Sequence, residues 1–299
     1  MVPVAGSEGV TIHCPSRGLF SLYNSPYPAH RLSTGVDVYP DADFHGLAPS
    51  PVRGVVLEIR RVRSPRGRGF EASGHDVVIL LQSEEEPSKV VKLLHVEPSL
   101  SVGDSVQVGD ELGSLLRSGY YGFGTSPHVH VEVREPSDPL RARGGHRVER
   151  LLKIGDAPAI DELKGVVTRS TAEFSLLRLD LESCGLPAEV GGVTGILDGG
   201  IPYYGWLGVH IDSKQPEGSD VVLLGHNIAH VESALGGTCI ASCTDFSVSV
   251  EGKPILGLSL RLSPVDDAEV KLIPRRLGSL TLEEGSEATV KVEEEGLPQ

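Results

Sequence analysis

Short apolar runs broken by turn residues limit this chain more than any other feature. "GVVLEIRRV", "HDVVILLQ" and "KVVKLLHV" are rich in Val, Ile and Leu, and turn clusters separate them. That rhythm suits short strands joined by turns rather than long helices. The 36 Gly and 21 Pro among 299 residues supply the breaks. "SLSVGDSVQVGDELGSLL" holds two Gly-Asp pairs, Gly103-Asp104 and Gly109-Asp110, both suited to tight turns between strands. "SEEEPS" reads as an exposed hairpin loop. Residues 10–145 therefore read as one β-rich unit, a barrel or a sandwich.

The character changes near "RVERLLKIGDAPAIDELKG", which places a linker at about 150–160. The expected organisation is a β domain over 1–150 and a second, mainly β domain over 160–299. In the latter, "VVLLG", "FSVSV", "ILGLSLRLS", "AEVKLI" and "EATVKVE" read as strands. "TAEFSLLRLDLESCGLP" satisfies neither the helical nor the strand period. The acidic end, "EEGSEATVKVEEEGLPQ", reads as a solvated strand and a frayed tail.

Net charge is −14, unevenly spread: 16 basic and 18 acidic residues over 1–150, against 11 and 23 over 151–299. A field of that sign argues against a nucleic-acid partner. "RRVRSPRGRG", with Arg60, Arg61, Arg63, Arg66 and Arg68, is the exception and reads as a solvated loop. The N-terminal residues show no basic stretch followed by an apolar one, and no apolar run nears the ~20 residues that span a bilayer. The four cysteines form no CxxC pair. These features lead to an expectation of a cytoplasmic protein with reduced thiols and no membrane partner.

The chemistry concentrates in "TSPHVHVEV". Alternation along a strand puts His128 and His130 on one face, with Glu132 beyond them. Glu132 could orient an imidazole or simply meet solvent. "AHRLSTGVDVYP" adds His30 and Asp37 on either side of a loop-like turn, and His95 closes the strand "KLLHV". Two imidazoles and a carboxylate make the open three-ligand set of a catalytic zinc. "GYYGFGTSP" precedes His128, and there Tyr120 and Tyr121 could donate to an oxyanion or stack on substrate. His45 and His75 read as surface histidines. In the second half, His210, His226 and His230 lack a companion Glu in the HExxH position and read as turn or short-helix residues. Tyr203, Tyr204 and Trp206 read as core.

The order of these pieces resembles the lysostaphin-type zinc metallopeptidases, which share a duplicated hybrid motif fold. "GVD" and "APSPVRGVV" match that family's first two strands, "LLHVEPSLSVGDSVQVGDELG" its histidine and double Gly-Asp segment, and "GFGTSPHVHVEV" its final HxH strand. The likeness covers roughly residues 25–140. It implies a barrel-like β domain and one catalytic Zn2+, with His30, Asp37 and His130 as ligands. It further implies His128 and His95 acting on the water and the tetrahedral intermediate, and a peptide or peptidoglycan-like substrate. The activity implied is peptide-bond hydrolysis by a zinc-activated hydroxide.

One spacing departs from the family. Three residues of separation back from Asp37 fall on Ser33, a poor zinc ligand, whereas His30 gives His-x6-Asp. That departure leaves open an alternative, a metal-free hybrid-motif domain that binds a partner without catalysis.

Overall fold

The structure, a computed structural model, describes residues 1–155, 157–213, 217–234 and 236–294. The end of the expected tail, 295–299, and residue 156 of the expected linker lie outside the described residues. The chain divides into two compact units, Met1–Leu22 with Pro26–Leu152, and Tyr23–Ser25 with Lys153–Gln299. Both are mainly β.

The first unit contains strands β1 (Val2–Ser7), β2 (Val10–Cys14), β3 (Leu19–Ser21), β4 (Val36–Tyr39), β5 (Leu47–Pro49), β6 (Gly54–Arg63), β7 (His75–Ser83), β8 (Val90–Leu94), β9 (Val96–Pro98), β10 (Ser105–Val106), β11 (Glu111–Leu115), β12 (Val129–Arg134) and β13 (Glu149–Arg150), with one short helix, α1 (Pro28–Arg31). A seven-stranded antiparallel sheet in the order β10-β6-β7-β8-β12-β4-β3 carries the site. Three-stranded sheets β13-β1-β2 and β5-β11-β9 complete the unit.

The period-2 pattern dictates the core. Val77, Ile79, Leu81, Val91, Leu93, Val129, Val131 and Val133 alternate along β7, β8 and β12 and are all fully buried. Each such side chain contributes about 1.5–3 kcal/mol of burial free energy. The opposite face of β12 is buried too, although it carries His130, Glu132 and Arg134. Val78, Leu80 and Val90 form a separate apolar cluster.

The two Gly-Asp pairs are turns, in which Asp104 accepts from the Ser101 N–H and Asp110 from the Gln107 N–H, both at 2.8 Å. The arginine stretch is only partly a loop. Arg60, Arg61 and Arg63 lie within β6, where Arg60 pairs with Glu58 and Arg61 with Glu97. β-Pairing with β7 out to Arg63↔His75 extends the strand past the point where charge suggested a turn.

The second unit is built on a thirteen-stranded antiparallel sheet over a large apolar cluster that includes Leu197, Val209, Val248, Leu258 and Leu272. The ambiguous segment resolves as a strand, Ser175–Leu179, because Ser175, Leu177 and Leu179 alternate inward. His226 and His230 belong to a nine-residue strand, His226–Ala234, rather than to a turn or short helix. His230 pairs with Asp220 at 2.6 Å, and His210 lies fully buried 3.0 Å from Asp198. Trp206 is buried. No helix among the described residues is long and apolar enough to cross a membrane.

Candidate metal centre

Sheet register builds the site. In the β12–β4 ladder His130 stands directly opposite Asp37, with Val129↔Val38 and Val131↔Val36 on either side. Alternation then turns the flanking valines to the apolar core and the His–Asp pair to the other face. His128 begins this run just before β12, with its Nε2 3.6 Å from Asp37 Oδ1.

His30 arrives by a different device. The sequence reads "RLSTG", residues 31–35, as loop-like, and just before it Pro28 starts a one-turn helix whose buried residues are Ala29 and His30. Proline suits that first position because its missing N–H and fixed φ cost a helix start nothing. The helical turn closes the gap to Asp37 and brings His30 Nε2 to 3.2 Å from both Asp37 Oδ1 and His130 Nδ1. His130 Nδ1 lies 2.8 Å from the same Asp37 oxygen. These three atoms are the one group of potential metal ligands among the described residues.

Hydrogen bonds decide which lone pairs are available. His30 Nδ1–H donates to the Leu22 carbonyl at 2.8 Å, which assigns the lone pair to Nε2. His130 Nε2–H donates to Glu132 Oε1 at 3.2 Å, which leaves Nδ1 toward Asp37. His128 Nδ1–H donates to the Ser126 carbonyl at 2.9 Å, again freeing Nε2. Tetrahedral ligands about 2.0–2.1 Å from zinc sit roughly 3.3 Å apart, so a His-His-Asp set at 2.8–3.2 Å fits that ion with little movement. Gly35 completes the cradle, since a Cβ there would lie 2.8 Å from His130 Cε1.

The electrostatics are those of a cation site. Burial alone would raise Asp37, yet His128, His30 and His130 hold its carboxyl well below the usual range. Burial opposes charge on His130 as well, but Asp37 and Glu132 raise it to about 9. A proton and a metal ion therefore compete for the same Nδ1 lone pair. His128 is pushed down to about 4, by burial foremost and by neighbouring His95 and His130, against the pull of Asp37. Glu132 is held down to about 2: burial would raise it, but His130 and Lys92 dominate. Lys92 Nζ and Arg134 Nη1 bond its two oxygens at 2.7 and 2.8 Å, and all three side chains are buried.

His95 and Tyr121 close one side. The His95 ring centre lies 5.0 Å from that of His128 and 6.3 Å from that of His130, and the Tyr121 ring sits edge-on to His95 at 4.8 Å and tilted against His128 at 5.0 Å. Burial, with Asp76 and Asp37, raises the Tyr121 phenol well above its ordinary value, and its buried hydroxyl has no hydrogen-bond partner among the described residues. Tyr120 is elsewhere: it is 58% exposed and donates to the Arg63 carbonyl. His75 bonds Glu97, and His45 is exposed.

The sequence reading passed over Asp76, Ser118, Lys92 and Arg134. Asp76 accepts from His95 Nδ1 at 2.6 Å, and Ser118 Oγ donates to the same carboxylate at 2.7 Å. One signal was present. Hairpin pairing of Gln82 with Val90 and Val78 with Leu94, continued two residues, carries Asp76 to the level of Val96, one residue past His95.

A family described as a domain of unknown function, DUF8155, matches the chain twice: its N-terminal domain over residues 12–150 and its C-terminal domain over residues 175–293. No curated protein sequence matches. Among solved structures, a mutant catalytic domain of the prophage-encoded M23 protein EnpA from Enterococcus faecalis is similar over 45% of this chain and 91% of its own. Its identity is 23% and its TM-score 0.29. Lysostaphin is similar over 80% of this chain and 99% of its own, at 16% identity and a TM-score of 0.28.

Proposed function

We propose that the first unit is a zinc-dependent peptidase. One observation carries the reading: His30 Nε2, Asp37 Oδ1 and His130 Nδ1 converge while the other nitrogen of each imidazole is committed to a fixed acceptor. These three residues would hold the ion. Zinc bound there would supply Lewis acidity and bring the pKa of a water down to about 7.

The chain's own groups do the rest. His128, kept neutral by burial and fixed through Ser126, offers Nε2 to take the proton of the attacking water. The protonated phenol of Tyr121 is the donor for the oxyanion that develops on the scissile carbonyl, and His95, whose Nδ1–H goes to Asp76, offers Nε2 as a proton acceptor beside the tetrahedral intermediate. Tyr120, exposed on the glycine-rich turn, contributes at most a stacking surface for substrate. Glu132 locks the His130 ring, itself held by Lys92 and Arg134. The resemblance of residues 25–140 to lysostaphin-type peptidases supports a peptide or peptidoglycan-like substrate.

The test is zinc content of the purified chain together with chelator-sensitive cleavage of Gly-rich peptides. Wild type should carry one zinc and His30→Ala well below half of that. Undiminished metal in His30→Ala overturns the ligand assignment, and a metal-free, inactive wild type favours a binding domain.

A further inference from the structure

Asp76 is the second residue of β7 and only 2% exposed, yet four donors converge on it. His95 Nδ1–H and Ser118 Oγ–H reach one carboxylate oxygen at 2.6 and 2.7 Å. The backbone N–H groups of Val77 and His95 reach the other at 2.7 and 3.1 Å. Burial would raise this carboxyl, but His95, Ser118 and Val77 bring it down to about 2, so it stands as an anion.

His95 is unusual in its own right. It sits between β8 and β9 at φ 72°, in the left-handed region that non-glycine residues rarely occupy. Such conformations persist where surrounding structure over-determines them, and they gather at functional sites. Here the over-determination is visible: one carboxylate grips both the backbone N–H and the ring of His95, and the Leu116 N–H donates to its carbonyl at 2.8 Å. A histidine that merely filled space would need neither a left-handed backbone nor a carboxylate bonded to both its ring and its own N–H.

We propose that Asp76 is a positioning residue for His95. By holding the Nδ1 proton it leaves Nε2 as the nitrogen offered to His128, Tyr121 and the candidate ligands, and Ser118 steadies the carboxylate from the glycine-rich turn. The role assigned to His95 in hydrolysis rests on the peptidase reading; its tautomer does not. Among the described residues Asp76 shares no hydrogen bond with the three candidate metal ligands, so its hydrogen-bonded link to them runs through His95, beside the charge it places near Tyr121.

The experiment uses the full chain, labelled with 15N at histidine, with Asp76→Asn and Ser118→Ala variants. Asparagine retains one acceptor for the two backbone N–H groups but turns an NH2 toward His95 Nδ1, which can no longer donate there. Wild type should show His95 protonated at Nδ1, whereas Asp76→Asn should shift the proton to Nε2. Zinc stoichiometry should stay equal. Against an oligoglycine peptide, Asp76→Asn should lower kcat by about 10³–10⁴-fold with KM within about twofold. Ser118→Ala should keep the Nδ1–H tautomer and lose roughly tenfold in kcat. A wild-type His95 protonated at Nε2 alone overturns the proposal even if Asp76→Asn fails to fold, and so does an Asp76→Asn protein with unchanged tautomer and kcat. A wild type that binds no zinc and cuts no peptide sinks the peptidase reading instead, while the tautomer measurements still decide the hold of Asp76 on His95.

Discussion

His130 and Asp37 face each other across one rung of an antiparallel ladder, 93 residues apart in sequence and 2.8 Å apart at Nδ1 and Oδ1. Their meeting depends on register alone: a slip of one residue would put a valine in place of the imidazole. Asp37→Asn keeps the shape and removes the charge. Zinc affinity measured by calorimetric titration should fall by more than about 100-fold with an unchanged far-ultraviolet circular dichroism spectrum. Equal affinity would remove Asp37 from the ligand set.

Lys92 and Glu132 form a second cross-strand pair on the same face, both buried, with Arg134 on the far oxygen. Removing one partner of such a pair leaves a buried charge short of its compensation. Lys92→Met should cost about 3–5 kcal/mol in urea unfolding. Adding Glu132→Gln should recover part of that loss, as expected for coupled neighbours. A cost no larger than that of an exposed lysine would contradict the pairing.

Acid should expose the role of Asp76 in stability. Its carboxyl is depressed from the ordinary 3.8 to about 2 in the folded chain: burial opposes charge, but His95, Ser118 and Val77 outweigh it. A depressed folded value stabilises the fold above pH ~4 and loses that contribution as pH falls toward 2, on the order of 2 kcal/mol in all. The difference in unfolding free energy between wild type and Asp76→Asn should therefore shrink between pH 5 and pH 2. A gap that stays constant over that range would count against the ion.

Gly35 should tolerate no side chain. An added Cβ would stand 2.8 Å from His130 Cε1 and 3.1 Å from Ala29 Cβ. Gly35→Ala should destabilise by about 1–3 kcal/mol through overpacking. By tilting the His130 ring it should also weaken zinc binding by about tenfold or more. Wild-type affinity in this variant would show that the ring has room to move.

Much of the fold was legible because strands announce themselves locally. Alternation in "HVHVEV" gave the shared face of His128, His130 and Glu132, and the Gly-Asp pairs gave the turns. What the sequence concealed was long-range or context-dependent. A four-residue helix is too short to leave a period, so the route by which His30 reaches Asp37 was invisible. Asp76 lies near the start of the strand run "HDVVILLQ", where nothing local marks a partner; only the hairpin register reveals its neighbour. Arg60 to Arg63 looked like loop because charge is the usual mark of solvent, yet β7 pairs with them throughout.

The seven-stranded sheet has a margin, and the candidate ligands straddle it. His130 belongs to β12, Asp37 to β4, and only β3 lies beyond, while His30 reaches in from α1. A divalent ion gripped there would rivet the outermost strands to the interior of the sheet. Amide exchange along Leu19–Ser21 and Val36–Tyr39 should therefore slow when zinc is added, while β6 and β7 stay as they were. Occupancy would then be readable as a change in how often the border of the sheet frays, without any substrate in hand.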